Sequence, residues 1–432
     1  MLCCNRQGGG FTSGGLISKM PLWQAQDMQA SSSAAGATAQ VRFSFVLAAA
    51  LVVGLYLAFL AAHLVLLYQM HGQTEVLRGE HQLPQKDFGL FWCAGNGLIS
   101  QLAQSFHFHF SQSFRQVCQN DILSPQSPID QAWPYPPTMG FLVAPFALLP
   151  LGEAFWVWRL FSVCVAALLL RRAGLSWQII SLGLASPAAL HDFTNGQNGT
   201  LTGAWLLAAL LLAGHGNRLA GFCAGLLSLK PHLGVGVSVA ALRLRAWRMI
   251  GWAVAVAFFL AVAATYLWGL HGWVWFFGIA QHDEWLWASR PIKQVFPGAA
   301  ITVYDMVRSF GLADRSALVV QGLASILAIC LIWHCWAPGR LKLMPRVIIT
   351  VCLNVWIVPH GFMYDLVAFS VAMGALVVVC KGWQRFAACL LWLMAGYTGV
   401  ISVMLTHLLL FPLVALAGAA LAWKVRDAPA WR

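Results

Sequence analysis

Charge is scarce in this chain. Aspartate, glutamate, lysine and arginine together make up 9% of 432 residues, where a soluble domain carries about 25%. A water-facing globular enzyme is therefore excluded. The usual marks of soluble cofactor chemistry are missing as well: no P-loop, GxGxxG, GxSxG, HExxH or EF-hand pattern stands in a sensible context. Without a soluble nucleotide-binding domain, an enzyme of this kind has to take its activated donor from the membrane, as a lipid-linked compound rather than a nucleotide sugar. The eleven cysteines form no CxxC pair and no Cys/His cluster with metal-site spacing. Most lie in apolar stretches, where cysteine behaves as a small hydrophobe. Cys93 and Cys118 share one polar loop and can bond if that side is oxidising.

What is present is hydrophobic. Apolar residues make up 59% of the chain and its mean hydropathy is +0.71. The composition is that of an all-α polytopic membrane protein. The net charge of +12 is then no sign of nucleic-acid binding, because in such a chain the informative quantity is where the basic residues fall. Residues 1–40 are rich in Gly, Ser and Ala without periodicity, and read as a disordered tail. A spanning helix needs about 20 apolar residues. About twelve candidates follow, at 43–67, 154–170, 175–190, 199–214, 218–229, 232–243, 249–269, 315–336, 346–358, 364–380, 385–402 and 405–423. The two short ones, 218–229 and 232–243, read as half-length helices meeting at Lys230-Pro231-His232. Together the spans form one membrane domain over 41–424, with a long first outer loop at 71–153 and a cytoplasmic tail at 425–432.

Residues 135–150 imitate a span but carry Pro136, Pro137, Pro145 and Pro150. They are expected to form a surface or re-entrant helix that starts at Pro137. The positive-inside rule supports that choice. With the amino terminus inside and 135–150 not crossing, 17 of the 26 basic residues fall on the inner side and only two of the 14 acids join them. Counting 135–150 as a span scrambles every later loop.

The same topology gathers the polar motifs on one outer face. Asp87 opens KDFGLFWCAG, where Phe88, Phe91, Trp92, Gly95, Leu98, Ile99 and Leu102 share a helical face. An amphipathic helix lying flat on the membrane is expected there. The Asp87 carboxylate suits proton abstraction from a hydroxyl and equally suits a helix cap. Tyr135 stands in the YPP turn. His191, Asp192, Asn195, Gln197 and Asn198 form HDFTNGQN, which reads alone as a hydrogen-bonding turn. Lys230 and His232 flank Pro231, where a cation can bind a lipid phosphate or snorkel to the headgroups. The 271–310 loop carries Trp273, Trp275, Trp285 and Trp287, an ordinary interfacial belt. His360, Tyr364 and Asp365 begin a late span; a histidine there can orient an acceptor hydroxyl or stabilise a leaving phosphate.

Taken in order, five stretches resemble glycosyltransferase family 87, of the GT-C fold type: DFGLFWCAG, WPYPPTMGFLVAPFALLPLGEAFWVWRL, SPAALHDFTNGQNGTL, AGFCAGLLSLKPH and PHGFMYDL. The resemblance covers roughly residues 85–370. It implies two juxtamembrane helices in the first outer loop, at 88–103 and 137–150, and a catalytic acid matching Asp87. It implies a polyprenyl-phosphate sugar donor, often mannose, and a lipid or glycan acceptor. The family's late-helix His matches His360, and its Lys-Pro stretch matches Lys230 and Pro231. Where the family often carries a Tyr after the first-loop acid, this chain has Phe91-Trp92. The expectation is a hexosyltransferase with Asp87 and His360 in catalytic roles. Lys230, His232, Tyr135, Gln197, Asn198, Asp192, Tyr364 and Asp365 would bind substrate. No cofactor is called for, and a divalent metal stays open. The site is expected to face the periplasm from a bacterial inner membrane. A lipid-linked glycan flippase and a non-catalytic subunit of envelope-glycan assembly are the alternatives. Against the flippase, no internal repeat is evident and no charges dot the middle of several spans.

Overall fold

The structure is a computed structural model that describes residues 49–65, 86–103, 133–215, 217–282, 285, 289, 300–402, 407–429 and 431. The expected tail at 1–40 and most of the first outer loop lie outside them. The chain divides into Met1–Val53, of which only the start of the first helix is described, and Gly54–Arg432, which holds every element of the site. Among the described residues there is no strand, only one isolated antiparallel bridge between Ala300 and Phe362. The helices are α1 (Ala49–Val65), α2 (Lys86–Ala103), α3 (Pro137–Leu148), α4 (Leu151–Arg172), α5 (Trp177–Leu184), α6 (Pro187–Asn195), α7 (Gly199–Leu212), α8 (Arg218–Leu229), α9 (Val235–Arg243), α10 (Trp247–Trp268), α11 (His271–Val274), α12 (Val303–Ser309), α13 (Asp314–Cys335), α14 (Leu343–Ile357), α15 (Met363–Val379), α16 (Gly382–Ile401) and α17 (Phe411–Lys424). Three of them, α4, α10 and α13, are long and apolar enough to cross a membrane.

Two helices form the centre. Every residue of α7 from Gly199 to Leu211 is buried, as is every residue of α15 from Val367 to Leu376. A helix apolar all round belongs in the interior. Their first turns approach closely because α7 presents glycine. A methyl at Gly199 would overlap the Tyr364 carbonyl oxygen, and one at Gly203 would stand 3.0 Å from the Ala368 nitrogen. Around this pair, α8 packs on α10, where Gly221 and Gly225 let Trp252 and Val256 come near the backbone. By contrast α10 turns Val254, Phe258, Phe259 and Val262 outward, as a lipid-facing helix does. Helix α4 carries Glu153 in its first turn and Arg171 and Arg172 in its last, matching its dipole.

Two expectations need correction. The candidate span 175–190 is not one helix. Pro187 has no N–H to continue α5, and the Ser186 hydroxyl accepts from Ala189 N to start α6 instead. His191 and Asp192 therefore sit on a helix, not in a turn. Nor does α2 turn its apolar face to lipid. Phe88, Phe91 and Leu98 are buried in protein, and Gly95 sits against Val143 and Ala147 of α3. The apolar stripe reads the same in either case; α3 covers it before lipid can. The segment 137–150 does form a short helix beginning at Pro137, as expected. Cys93 is disulfide-bonded, with its partner outside the described residues.

Candidate active site

The polar groups gather where α7 and α15 begin. Helix α6 ends at Gly196, whose φ of +66° is a left-handed cap that glycine adopts freely. The chain then turns back so that Asp192 reaches the start of α7. Its carboxylate accepts from Gly199 N (2.7 Å), Thr200 N (3.0 Å) and the Thr200 hydroxyl (2.5 Å). Asp192 thus satisfies donors that the first turn of a helix leaves open. Burial pushes its carboxyl above the usual range, and the bonds from Thr200 and Gly199 oppose that rise. The turn is further fixed by Trp158, whose indole donates to the Gln197 carbonyl at 3.2 Å. The Tyr135 hydroxyl donates to the Gln197 side chain at 3.5 Å.

Lys230 enters from the break between α8 and α9. As the residue before a proline it is held extended, at φ −142° and ψ 73°. A 3-10 turn over Pro231–Gly234 follows. Such a break leaves backbone groups to satisfy, and Asn354 of α14 does so. Its amide donates to the Leu233 carbonyl and accepts from Gly236 N, both at 3.3 Å. The Lys230 ammonium, 7% exposed, is paired with the Asp365 carboxylate, 3% exposed. It also donates to Asn198 Oδ1 at 3.3 Å and lies 4.9 Å from the centre of the Tyr364 ring. Asp365 in turn accepts from Phe362 N at 3.2 Å, capping α15. Two further buried atoms at this cluster, Asn198 Nδ2 and His232 Nε2, have no hydrogen-bond partner among the described residues. Buried polar atoms are rarely left so. Here they stand beside the Lys230–Asp365 pair.

An apolar cavity of about 340 Å³ adjoins the same break. Leu226 and Leu229 of α8 line it, Leu229 directly preceding Lys230, with Trp205 of α7, Leu260 of α10, and Phe141 and Thr138 of α3. Of the remaining expected residues, Asp87 stands in the first turn of α2, just before Phe88. Phe88 packs against Gly196 and Phe155, so the start of α2 meets the loop that carries Gln197 and Asn198. His360 stands among the groups whose charges act on His232, together with Lys230 and Asp365.

The sequence reading missed Thr302 and Asp305. A bridge from Ala300 to Phe362 and a bond from Ile301 N to the Gly361 carbonyl dock this segment on the 361–362 stretch next to His360. Asp305 is buried, and burial raises its carboxyl, with Thr302, His360 and Arg308 opposing. Gly199, Trp158 and Asn354 were missed as well. For Gly199 the doubled Asn-Gly of NGQNG was a signal. Nothing local marks Asn354, which lies inside an apolar run.

Fold and site together define a helical membrane protein with a buried Lys230–Asp365 ion pair beside an apolar cavity. The chain belongs to glycosyltransferase family 87, whose model matches residues 133–359; it is a membrane glycosyltransferase. The matched segment includes Tyr135, Asp192, Gln197, Asn198, Lys230, His232 and Asp305, while Asp87, His360, Tyr364 and Asp365 fall outside it. No curated protein and no solved structure matches the chain.

Proposed function

We propose that this chain moves a hexose, mannose foremost, from a polyprenyl-phosphate sugar to a lipid or glycan acceptor at the outer face of a membrane, within a GT-C bundle of about twelve spans. The supporting observation is the buried Lys230 beside an apolar cavity, with two neighbouring atoms, Asn198 Nδ2 and His232 Nε2, that have no hydrogen-bond partner among the described residues. A lipid phosphate has a charged head and a hydrocarbon tail, and this arrangement suits both. Two of the three Lys230 N–H bonds go to Asp365 and Asn198, which leaves the third for a phosphate oxygen. Asn198 Nδ2 and His232 Nε2 supply two more contacts. The cavity lined by Leu226 and Leu229 takes the first part of the isoprenoid chain.

In this reading the acceptor hydroxyl oxygen attacks the anomeric carbon, and Asp87 takes its proton. The bond from that carbon to the phosphate oxygen breaks, and the electron pair leaves with the phosphate. Attack opposite the departing group inverts the anomeric centre. Lys230 and His360 stabilise the charge that develops. The Cys93 disulfide supports an oxidising outer side for α2.

The test uses purified protein in sealed vesicles loaded with polyprenyl-phosphate [3H]mannose and a total lipid extract of the native membrane. The account expects radioactivity in a new lipid or glycan product. Movement of intact donor across the bilayer without sugar transfer would instead identify a flippase and overturn the assignment.

A further inference from the structure

Threonine hydroxyls inside this bundle are spent within the protein. Those of Thr194, Thr202, Thr265, Thr350 and Thr398 each donate to the carbonyl four residues back, at between 2.7 and 3.1 Å. Those of Thr200 and Thr302 donate to the Asp192 and Asp305 carboxylates. Thr138 is the exception among the described threonines. It is 2% exposed, and its hydroxyl oxygen is buried with no hydrogen-bond partner among the described residues. The cause is local. Pro136 is extended, at φ −64° and ψ 156°, and α3 begins only at Pro137. No helical turn precedes Thr138 to offer it a carbonyl, and the residue four back, Pro134, lies outside the helix. A buried hydroxyl left so is costly, and an apolar side chain of the same shape avoids the cost.

The hydroxyl borders the apolar cavity of about 340 Å³. Among the described residues, Thr138 is the one serine, threonine or tyrosine in its lining, and its oxygen the one partnerless buried atom that belongs to a lining residue. Its position along the cavity follows from the packing. The 137–139 turn packs on the 227–229 turn, which leads directly into Lys230. From Leu229 the lining runs along α8 through Leu226 and Cys223 to Leu219, about 15 Å at the helical rise. The cavity is therefore polar at its Lys230 end and apolar along the rest, the polarity of a lipid whose charged head stands at one end of a long chain.

We propose that Thr138 is a donor-binding residue: its hydroxyl donates to the phosphate of the lipid-linked sugar where the isoprenoid chain leaves it, and so sets how far the chain sinks between α4, α8 and α10. This rests on the lipid-phosphate donor proposed above. Lys230 holds the phosphate by charge, which is indifferent to a small shift along the cavity. A hydroxyl fixed on a short helix is directional and sets the register. The hydroxyl that lacks a partner in the protein gains one in the complex, so its cost is carried by the free protein and relieved by the donor.

The experiment measures binding of a radiolabelled long-chain polyprenyl phosphate, and of the matching polyprenol, to full-length protein in nanodiscs. Thr138→Val keeps the shape of the side chain and removes the hydroxyl. A hydrogen bond to a charged group is lost, so the Kd for polyprenyl phosphate should rise at least about tenfold, while the Kd for polyprenol stays within about twofold. Thr138→Ser keeps the hydroxyl and should bind polyprenyl phosphate within about threefold of the parent. Thermal unfolding without ligand separates this role from a structural one: Thr138→Val loses only a hydroxyl without a partner, and should unfold at or above the parent temperature. Unfolding several degrees below the parent, or failure to fold, shows that the hydroxyl serves the fold and overturns the proposal. A Thr138→Val protein that keeps the parent preference for phosphate over alcohol overturns this proposal alone. A parent protein that binds the two lipids equally overturns the lipid-phosphate donor as well.

Discussion

Replacing Lys230 by methionine tests the buried pocket first by stability. The substitution keeps the length of the side chain and removes its charge. It leaves the Asp365 carboxylate, 3% exposed, with a backbone bond from the Phe362 N–H. Breaking a buried pair from one side typically costs about 3–5 kcal/mol, because the remaining charge stays desolvated. Asp365→Asn is expected to cost somewhat less, since Lys230 keeps Asn198 and the Tyr364 ring. The double variant Lys230→Met/Asp365→Asn removes both charges and is expected to be more stable than Lys230→Met alone. The coupling between the two sites should then reach about 2–3 kcal/mol, well above the scatter of independent sites. The assay is unfolding in detergent followed by intrinsic tryptophan fluorescence. Transfer activity separates the two roles: the double variant regains fold but not turnover. If Lys230→Met unfolds with the parent, or if the double variant loses the sum of the two single losses, the pair is not the buried unit described and the pocket argument fails.

Three further outcomes follow from the same geometry. Gly199→Ala places a methyl on the Tyr364 carbonyl oxygen; backbone must move, and a loss of about 1–3 kcal/mol or more with little residual transfer is expected by thermal unfolding and assay. Asn354→Leu leaves the Leu233 carbonyl and Gly236 N unpartnered in the interior; stability should fall by about 1–3 kcal/mol, and the donor KM should rise because the Lys230 turn loosens. Leu226→Trp fills the apolar cavity; the KM for a long-chain donor should rise at least about tenfold while a donor truncated to one or two isoprene units is unaffected, and equal effects on both would remove the tail from that cavity.

The parts of this molecule that were legible in the sequence are those set by local chemistry. Pro137 announces the short helix of the first loop, because a proline fits the first helical turn. Lys230-Pro231 announces the break between α8 and α9, since the residue before a proline leaves the helical region. Hydropathy gives the helical class but not the break at Ser186-Pro187, where Ser186 capping decides that a new helix begins. Amphipathicity shows that α2 has an apolar face but not what covers it; Gly95 against Ala147 settles that. The partners of Lys230 come from two distant stretches, Asn198 and Tyr364-Asp365, and pairing over 135 residues with Asp365 leaves no trace in local pattern. The Asp305 segment was unreadable for the same reason: its meaning depends on a two-residue bridge to Phe362.

The most direct measurement of the central claim is turnover by Asp87→Asn. The purified variant should unfold at the parent temperature and bind donor with a similar KM. A positioned general base contributes about 10²–10⁴-fold, so kcat for transfer from polyprenyl-phosphate mannose should fall by at least about a hundredfold. Turnover within a few-fold of the parent would contradict the account.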